Sequence, residues 1–173
     1  FLFALVIYRY PKKIILSGEK RIFSTWENLQ ASQRTLREMT VRDTRTQLFN
    51  ADYVGHKLEE EVEKLERLGG RLCVLVLDID HFRKYNEAFG HMAGNTLLRA
   101  MAFVLAGQVR PQDTLGRLGG EEFILLMPEI EASAAEKFAQ KLRSGIEMHS
   151  FGDEACKAAT GITLSIGIAE WRA

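Results

Sequence analysis

Arg117-Leu118-Gly119-Gly120-Glu121-Glu122-Phe123 places two glycines ahead of two adjacent carboxylates, and the apolar run of residues 123–127 follows at once. Glycine permits a tight backbone turn and the close approach of a bulky anion. Carboxylates at such a turn are placed to hold a divalent cation over phosphates. Upstream, Leu72-Cys73-Val74-Leu75-Val76-Leu77 reads as a buried strand that ends in Asp78-Ile79-Asp80. If the two strands are neighbours, their acids converge on one point, an arrangement suited to metal-assisted nucleotide chemistry.

Working outward, the pattern alternates between helix and strand. Val54, Leu58, Val62, Leu65 and Leu68 form a helical stripe that stops at Gly69-Gly70. A strand follows over residues 71–77. Leu97, Met101, Val104 and Leu105 mark an amphipathic helix, and residues 115–127 read as a hairpin turning at the glycines. Ala134, Phe138, Leu142 and Ile146 give a third stripe, and residues 162–171 alternate as a strand does. This order predicts an α/β fold with a central, mostly antiparallel sheet flanked by helices. Before it, Ile22, Leu29 and Leu36 recur every seven residues, so residues 24–40 read as a helix with an apolar seam, either a dimer stalk or a helix packed on its own domain. The organisation expected is therefore an N-terminal segment and helical stalk over 1–41 and a single α/β domain over 42–173.

Composition bounds the chemistry. The chain has 173 residues and a formal net charge of zero, which argues against nucleic acid as a broad electrostatic partner. Two cysteines, Cys73 and Cys156, make no disulfide framework and favour a reducing compartment, the cytoplasm. The apolar run of residues 1–8 is followed by Arg9, Lys12 and Lys13. It is too short to cross a bilayer, which takes roughly 20 residues. Its charges are ordered as on the cytoplasmic flank of a membrane helix, so it reads either as the end of an anchor at the inner membrane or as an ordinary packing segment.

The two acidic segments resemble the GGDEF family of diguanylate cyclases. Gly119-Gly120-Glu121-Glu122-Phe123 is similar to the family's name motif in its Glu variant, GGEEF. Asp78-Ile79-Asp80-His81-Phe82-Arg83, then Asn86, Gly90-His91 and Gly94, repeats the family's other main block at its spacing. The resemblance runs from about Asp43 to Ile168. It implies a palm-like nucleotidyl-cyclase fold and the condensation of two GTP into cyclic di-GMP and two pyrophosphates by a homodimer of half-sites. It also implies Mg²⁺ (or Mn²⁺) held by Asp78, Glu121 and the Ile79 carbonyl, with Glu121 and Glu122 as catalytic acids. His81, Phe82 and Arg83 would open a helix whose N–H groups bind phosphate, and Asn86 and Asn95 would read the guanine edge. For Asp80 the plain alternative is a helix cap. Arg110-Pro111-Gln112-Asp113 matches the family's inhibitory RxxD site for product, with a loop ion pair as the alternative.

Departures from the family pattern open other readings. Arg83 stands where the family usually has lysine. Asn95 replaces an aspartate, and a carboxamide offers one acceptor and one donor group where a carboxylate offers two acceptors. Weaker GTP binding and relaxed purine choice follow as expectations. The family's opening motif, Asp-x-Leu-Thr-Gly-Leu-x-Asn-Arg, has Arg45, Gln47 and Ala51 at its Leu, Gly and Arg positions. The family's C-terminal helix, with its triphosphate-binding Lys and Arg, is absent from these 173 residues. The alternative function is a catalytically degenerate domain that senses cyclic di-GMP or GTP.

Overall fold

A computed structural model describes residues 41–151 and 161–172 of the chain. The expected stalk over 24–40, the apolar run of residues 1–8 and Cys156 lie outside the described residues. No helix among the described residues is long and apolar enough to cross a membrane.

In chain order the elements are α1 (Ala51–Leu68), β1 (Arg71–Ile79), α2 (Phe82–Ala106), β2 (Thr114–Gly119), β3 (Glu122–Pro128), α3 (Ala132–Met148) and β4 (Leu164–Arg172). The strands form one sheet in the order β2-β3-β1-β4, with every neighbouring pair antiparallel. This is the expected α/β architecture, and β1 does neighbour the hairpin strand β3.

Alternation along β1 and β3 builds both sides of the sheet. Cys73, Leu75, Leu77 and Ile79 pack with Phe123, Leu125 and Met127 against Leu97, Leu98, Met101 and Leu105 of α2 and Ala135, Ala139, Leu142 and Ile146 of α3. Leu72, Ile124 and Leu126 face the other way, onto Val54 and Leu65 of α1. Both faces of the two central strands are covered near Leu72, which is why they read as continuous apolar runs. The α3 stripe is shifted from the expected phase: Ala135 and Ala139 are buried, Ala134 is exposed, and Leu142 and Ile146 hold their places.

Local chemistry sets the element ends. Asn50 caps α1 by accepting from the Tyr53 N–H at 2.8 Å, and Gly69 ends it at φ 73°. Helix α2 bends at Gly90 (φ 83°, ψ 157°), which separates the short first part carrying Phe82 and Asn86 from the core-facing remainder.

The lead-in loop before α1 keeps its turn despite the departures noted above. Asp43 Oδ1 accepts from the Thr46 N–H (2.7 Å) and the Thr46 hydroxyl (2.6 Å). Gln47 stands at φ 62°, the left-handed region, where the family pattern has glycine. A side chain held there costs roughly 1–2 kcal/mol. Its exposed amide recovers one bond, to the Thr44 carbonyl at 3.2 Å. Gln47→Gly is therefore expected to stabilise the domain by roughly 0.5–1 kcal/mol in urea unfolding, after the entropy that glycine adds to the unfolded chain. A loss of stability would mean that the Thr44 contact outweighs the backbone strain.

Candidate active site

The β2–β3 bend and the end of β1 meet at one edge of the domain. Gly119 (φ 155°) and Gly120 (φ 52°) turn the chain, and a register shift separates Arg117 from Gly119. No atom lies within 4 Å of where a side chain would begin on either glycine. Backbone conformation alone therefore calls for glycine there, and the space above the turn stays open.

Three carboxylates gather at this bend. Asp78 and Glu122 are direct cross-strand partners, an arrangement that like charges disfavour. Glu121 sits beside them in the turn. Burial raises the Asp78 pKa above its usual range, and the charges of Glu121 and then Asp80 push it further in the same direction. The acids are thus close enough to repel, as a cation-binding pair must be before the cation arrives. The Ile79 side chain is buried in the core, so only its backbone can serve a ligand. Pairing with β3 stops at Asp78, one residue short of it. The donors Asp78, Glu121 and the Ile79 carbonyl are all hard oxygens and fit Mg²⁺, which takes one or two carboxylates and fills its shell with water and phosphate. Among the described residues no cluster of three or more Asp, Glu, His or Cys side chains forms a metal cage of its own.

Asp80 behaves differently from its neighbour. It accepts from the Thr163 hydroxyl at 2.5 Å and the Ser165 hydroxyl at 2.6 Å, while its N–H donates to the Thr163 carbonyl at 3.0 Å. The Ser165 and Thr163 hydroxyls hold its carboxyl below the ordinary range. The helix-cap alternative for Asp80 is corrected: it clamps the end of β1 to β4. The N-cap of α2 is His81, in the left-handed conformation (φ 59°), and no side-chain hydrogen bond caps the helix. The His81 side chain thus leaves the start of α2 without the usual N-cap bond, as suits a helix start that takes a phosphate.

Alongside lies a pocket of about 440 Å³, lined by Phe82, Arg83, Asn86, Glu87, His91 and Glu121. Asn86 Oδ1 is buried in the described structure without a hydrogen-bond partner. Such an atom normally finds one; this oxygen is packed against Gly94, where an added Cβ would stand 1.9 Å from it. Arg83 is exposed and its Nε donates to Glu87 at 3.0 Å. Of the residues expected at the site, Phe82, Arg83, Asn86 and Glu121 line this pocket. Asp78, Ile79, His81 and Glu122 are not among its lining residues; Asp78 and Ile79 end β1, Glu122 opens β3 and His81 caps α2. Asn95 is half-buried on α2, one residue past Gly94, and is not among the lining residues. Glu87 and His91 were missed as pocket residues; the signal was their place on the same short helix as Asn86. A larger cleft of about 690 Å³ runs between α3 and β4 and shares only the clamp residue Asp80 with this region.

Arg110 and Asp113 lie at the far end of β2 from the glycine turn, about 20 Å away at strand rise. Arg110 donates from Nε at 3.1 Å and Nη2 at 2.6 Å to Asp113 Oδ1, and from Nη2 to the Pro128 carbonyl at 3.2 Å. The two residues are together, and in this state they satisfy each other.

The comparisons with known proteins agree with this geometry. The family described as "Diguanylate cyclase, GGDEF domain" matches residues 40–173. Diguanylate cyclase DgcP of Pseudomonas aeruginosa is 37% identical over 132 residues, 76% of this chain and 19% of that protein. Response regulator PleD of Caulobacter vibrioides is 34% identical over 131 residues, 76% of this chain and 29% of its own length. The chain thus spans less than a third of these curated relatives. Among solved structures, the GGDEF domain of DgcB from Caulobacter crescentus in complex with c-di-GMP superposes with a TM-score of 0.72 at 29% identity, covering 76% of this chain and 78% of that one.

Proposed function

The chain belongs to the GGDEF family, and from that premise we propose that it joins two GTP molecules into cyclic di-GMP with release of two pyrophosphates. The observation that carries the reading is the pocket that Asn86 and Glu121 line together. Asn86 takes the purine edge. The first turn of α2 and Arg83 take the phosphates, with the Arg83–Glu87 pair opening to release the guanidinium. Glu121 and Asp78 lie where the α-phosphate must be attacked, and Glu121 is placed to accept the proton of the incoming 3′-hydroxyl. Glu122, across from Asp78, adds negative charge that favours a cation at this edge. Mg²⁺ or Mn²⁺, when bound by Asp78, Glu121 and the Ile79 carbonyl, lowers the hydroxyl pKa and neutralises the leaving group.

One pocket of this size takes one nucleotide, so the reaction needs two copies facing each other, a homodimer of half-sites. The stalk and a membrane-proximal start to the chain belong to this same proposal, with the domain working in the cytoplasm or at the cytoplasmic face of the inner membrane. At Arg110 and Asp113, bound cyclic di-GMP would replace the ion pair with phosphate and guanine contacts and restrain turnover.

Asn95 favours a second reading of specificity. A carboxamide suits an adenine edge at least as well as a guanine edge, so GTP use is expected to be weak and purine choice relaxed. Incubation of the protein with GTP, ATP and Mg²⁺, with products identified by mass, tests both readings. Cyclic di-GMP alongside adenine-containing products supports them. Strong, exclusive GTP use removes the relaxed-purine reading, and no product with retained cyclic di-GMP affinity replaces the cyclase by a sensor.

A further inference from the structure

We infer that Arg117 is a positioning residue that orients the peptide leading into Glu121, and that Asp43 makes this orientation depend on the lead-in loop. The inference rests on the cyclase reading for its kinetic consequence, though not for its geometry. Arg117 and Thr114 are the buried polar residues among those described, with Arg117 7% exposed. A buried guanidinium is costly unless each of its edges is satisfied. Here Nε donates to the Gly120 carbonyl at 3.2 Å and Nη2 donates to the same oxygen, while Nη1 donates to Asp43 Oδ1 at 3.1 Å.

The consequence follows from peptide planarity. The Gly120 carbonyl and the Glu121 N–H belong to one trans unit and point in opposite directions. Drawing the carbonyl inward to Arg117 therefore turns the Glu121 N–H outward and fixes the backbone from which the Glu121 side chain enters the pocket. Both glycines before it are at positive φ, and a glycine pair left unbraced has more backbone freedom than any other dipeptide. The fork of Arg117 removes that freedom.

The same guanidinium ties the turn to residues 43–49. Asp43 Oδ1, which accepts from Arg117, also accepts from the Thr46 hydroxyl and N–H and from the Arg45 N–H at 3.3 Å. The Arg117 N–H donates to the Phe49 carbonyl at 2.8 Å, and Phe49 bridges to Gly116 of β2. Burial pushes the Asp43 pKa up, but the Thr46 bonds and the Arg117 guanidinium outweigh it and hold the carboxyl below its ordinary value, so the link is ionic at neutral pH. A displacement of the lead-in loop is transmitted to the Gly120 carbonyl and so to Glu121. This gives whatever drives that loop a route to catalysis that touches no substrate contact.

Arg117→Lys tests the assignment, because one ammonium cannot span Asp43 and the Gly120 carbonyl together. With GTP and Mg²⁺, kcat is expected to fall about 100-fold, the effect of a misplaced reacting group, while KM stays within about threefold. Hydrogen exchange should quicken in peptides 43–49 and 117–123 and stay slow in β1. Asp43→Ala removes the Oδ1 that Arg117 Nη1 and Thr46 share; it carries the test if the lysine variant unfolds, with kcat down about tenfold and the same exchange pattern. Wild-type kcat in Asp43→Ala, or kcat lost only together with exchange protection across β1 and β3, overturns the inference and makes Arg117 a stabilising residue alone. A wild-type protein with no turnover sinks the cyclase reading instead, and the exchange pattern then decides the positioning claim by itself.

Discussion

Asp78→Asn is expected to cost most of the turnover, leave the domain folded and raise its metal-free melting temperature. All three outcomes come from one feature. Asp78 sits at the end of its strand opposite Glu122 and feels the charge of Glu121, so its ionised form is a cost to the fold. The sign follows from the raised pKa: a carboxyl whose folded pKa lies above its unfolded value destabilises the fold once ionised. That cost is present at neutral pH and is relieved as pH falls through the raised value. Asparagine of the same volume removes the cost and with it the proposed metal ligand. The turnover loss is expected to reach about 10³-fold, the upper end of what removing one preorganised electrostatic group costs. Added Mg²⁺ should raise the melting temperature of the wild type and leave that of the variant unmoved, by mass action on the folded state alone. The stability gap between the two proteins should narrow toward acid pH. Thermal melts with and without Mg²⁺ beside a pyrophosphate-release assay measure all of this. An active variant, or equal Mg²⁺ stabilisation of both proteins, would falsify the assignment of Asp78 to the metal.

What could be read from the chain before its structure divides by sequence separation. The buried strand before Asp78 and the hairpin bending at Gly119-Gly120 were legible, because apolar runs and glycine turns are local signals. So were α1 and α2. The phase of α3 was misread by one residue at Ala134, since alanines on a short stripe do not show which of two adjacent small residues meets the core. What stayed hidden depends on partners far along the chain. Asp80 finds Thr163 and Ser165, 83 and 85 residues away, and the available hint was only that two hydroxyls spaced by two share a strand face. Arg117 finds Asp43, 74 residues away; the hint was a charge inside the otherwise apolar or small stretch Leu115-Gly116-Arg117-Leu118. The order β2-β3-β1-β4 was not legible either, as antiparallel strands of similar length carry no label for their neighbours. Both Asp43 and Thr46 of the lead-in motif keep their bonds, which places the effect of Arg45, Gln47 and Ala51 on stability more than on the site.

Gly94→Ala is expected to cost nucleotide recognition more than fold. Gly94 is buried on α2 after the Gly90 bend, four residues beyond it. A Cβ built there would stand 1.9 Å from Asn86 Oδ1, 2.9 Å from its Cγ and 3.1 Å from the Phe82 ring. The first two distances are impossible contacts, so the Asn86 side chain must swing away. The ring, at the tight limit, has to give by only a few tenths of an ångström. The displaced carboxamide is the group proposed to take the purine edge, and its oxygen is buried without a partner. Its loss leaves purine donors unmatched, a mismatch for which sites built on hydrogen bonds discriminate strongly. KM for GTP should rise about 10²-fold, while kcat at saturation falls less, because Glu121 and Asp78 stand on other elements. Asn86→Ala alone should reproduce the KM rise, and the double variant should be no worse than either single one, since both remove the same contact. Additive losses would show that Gly94 acts through the backbone of α2 and not through Asn86. A wild-type KM in Gly94→Ala would remove Asn86 from the nucleotide site altogether.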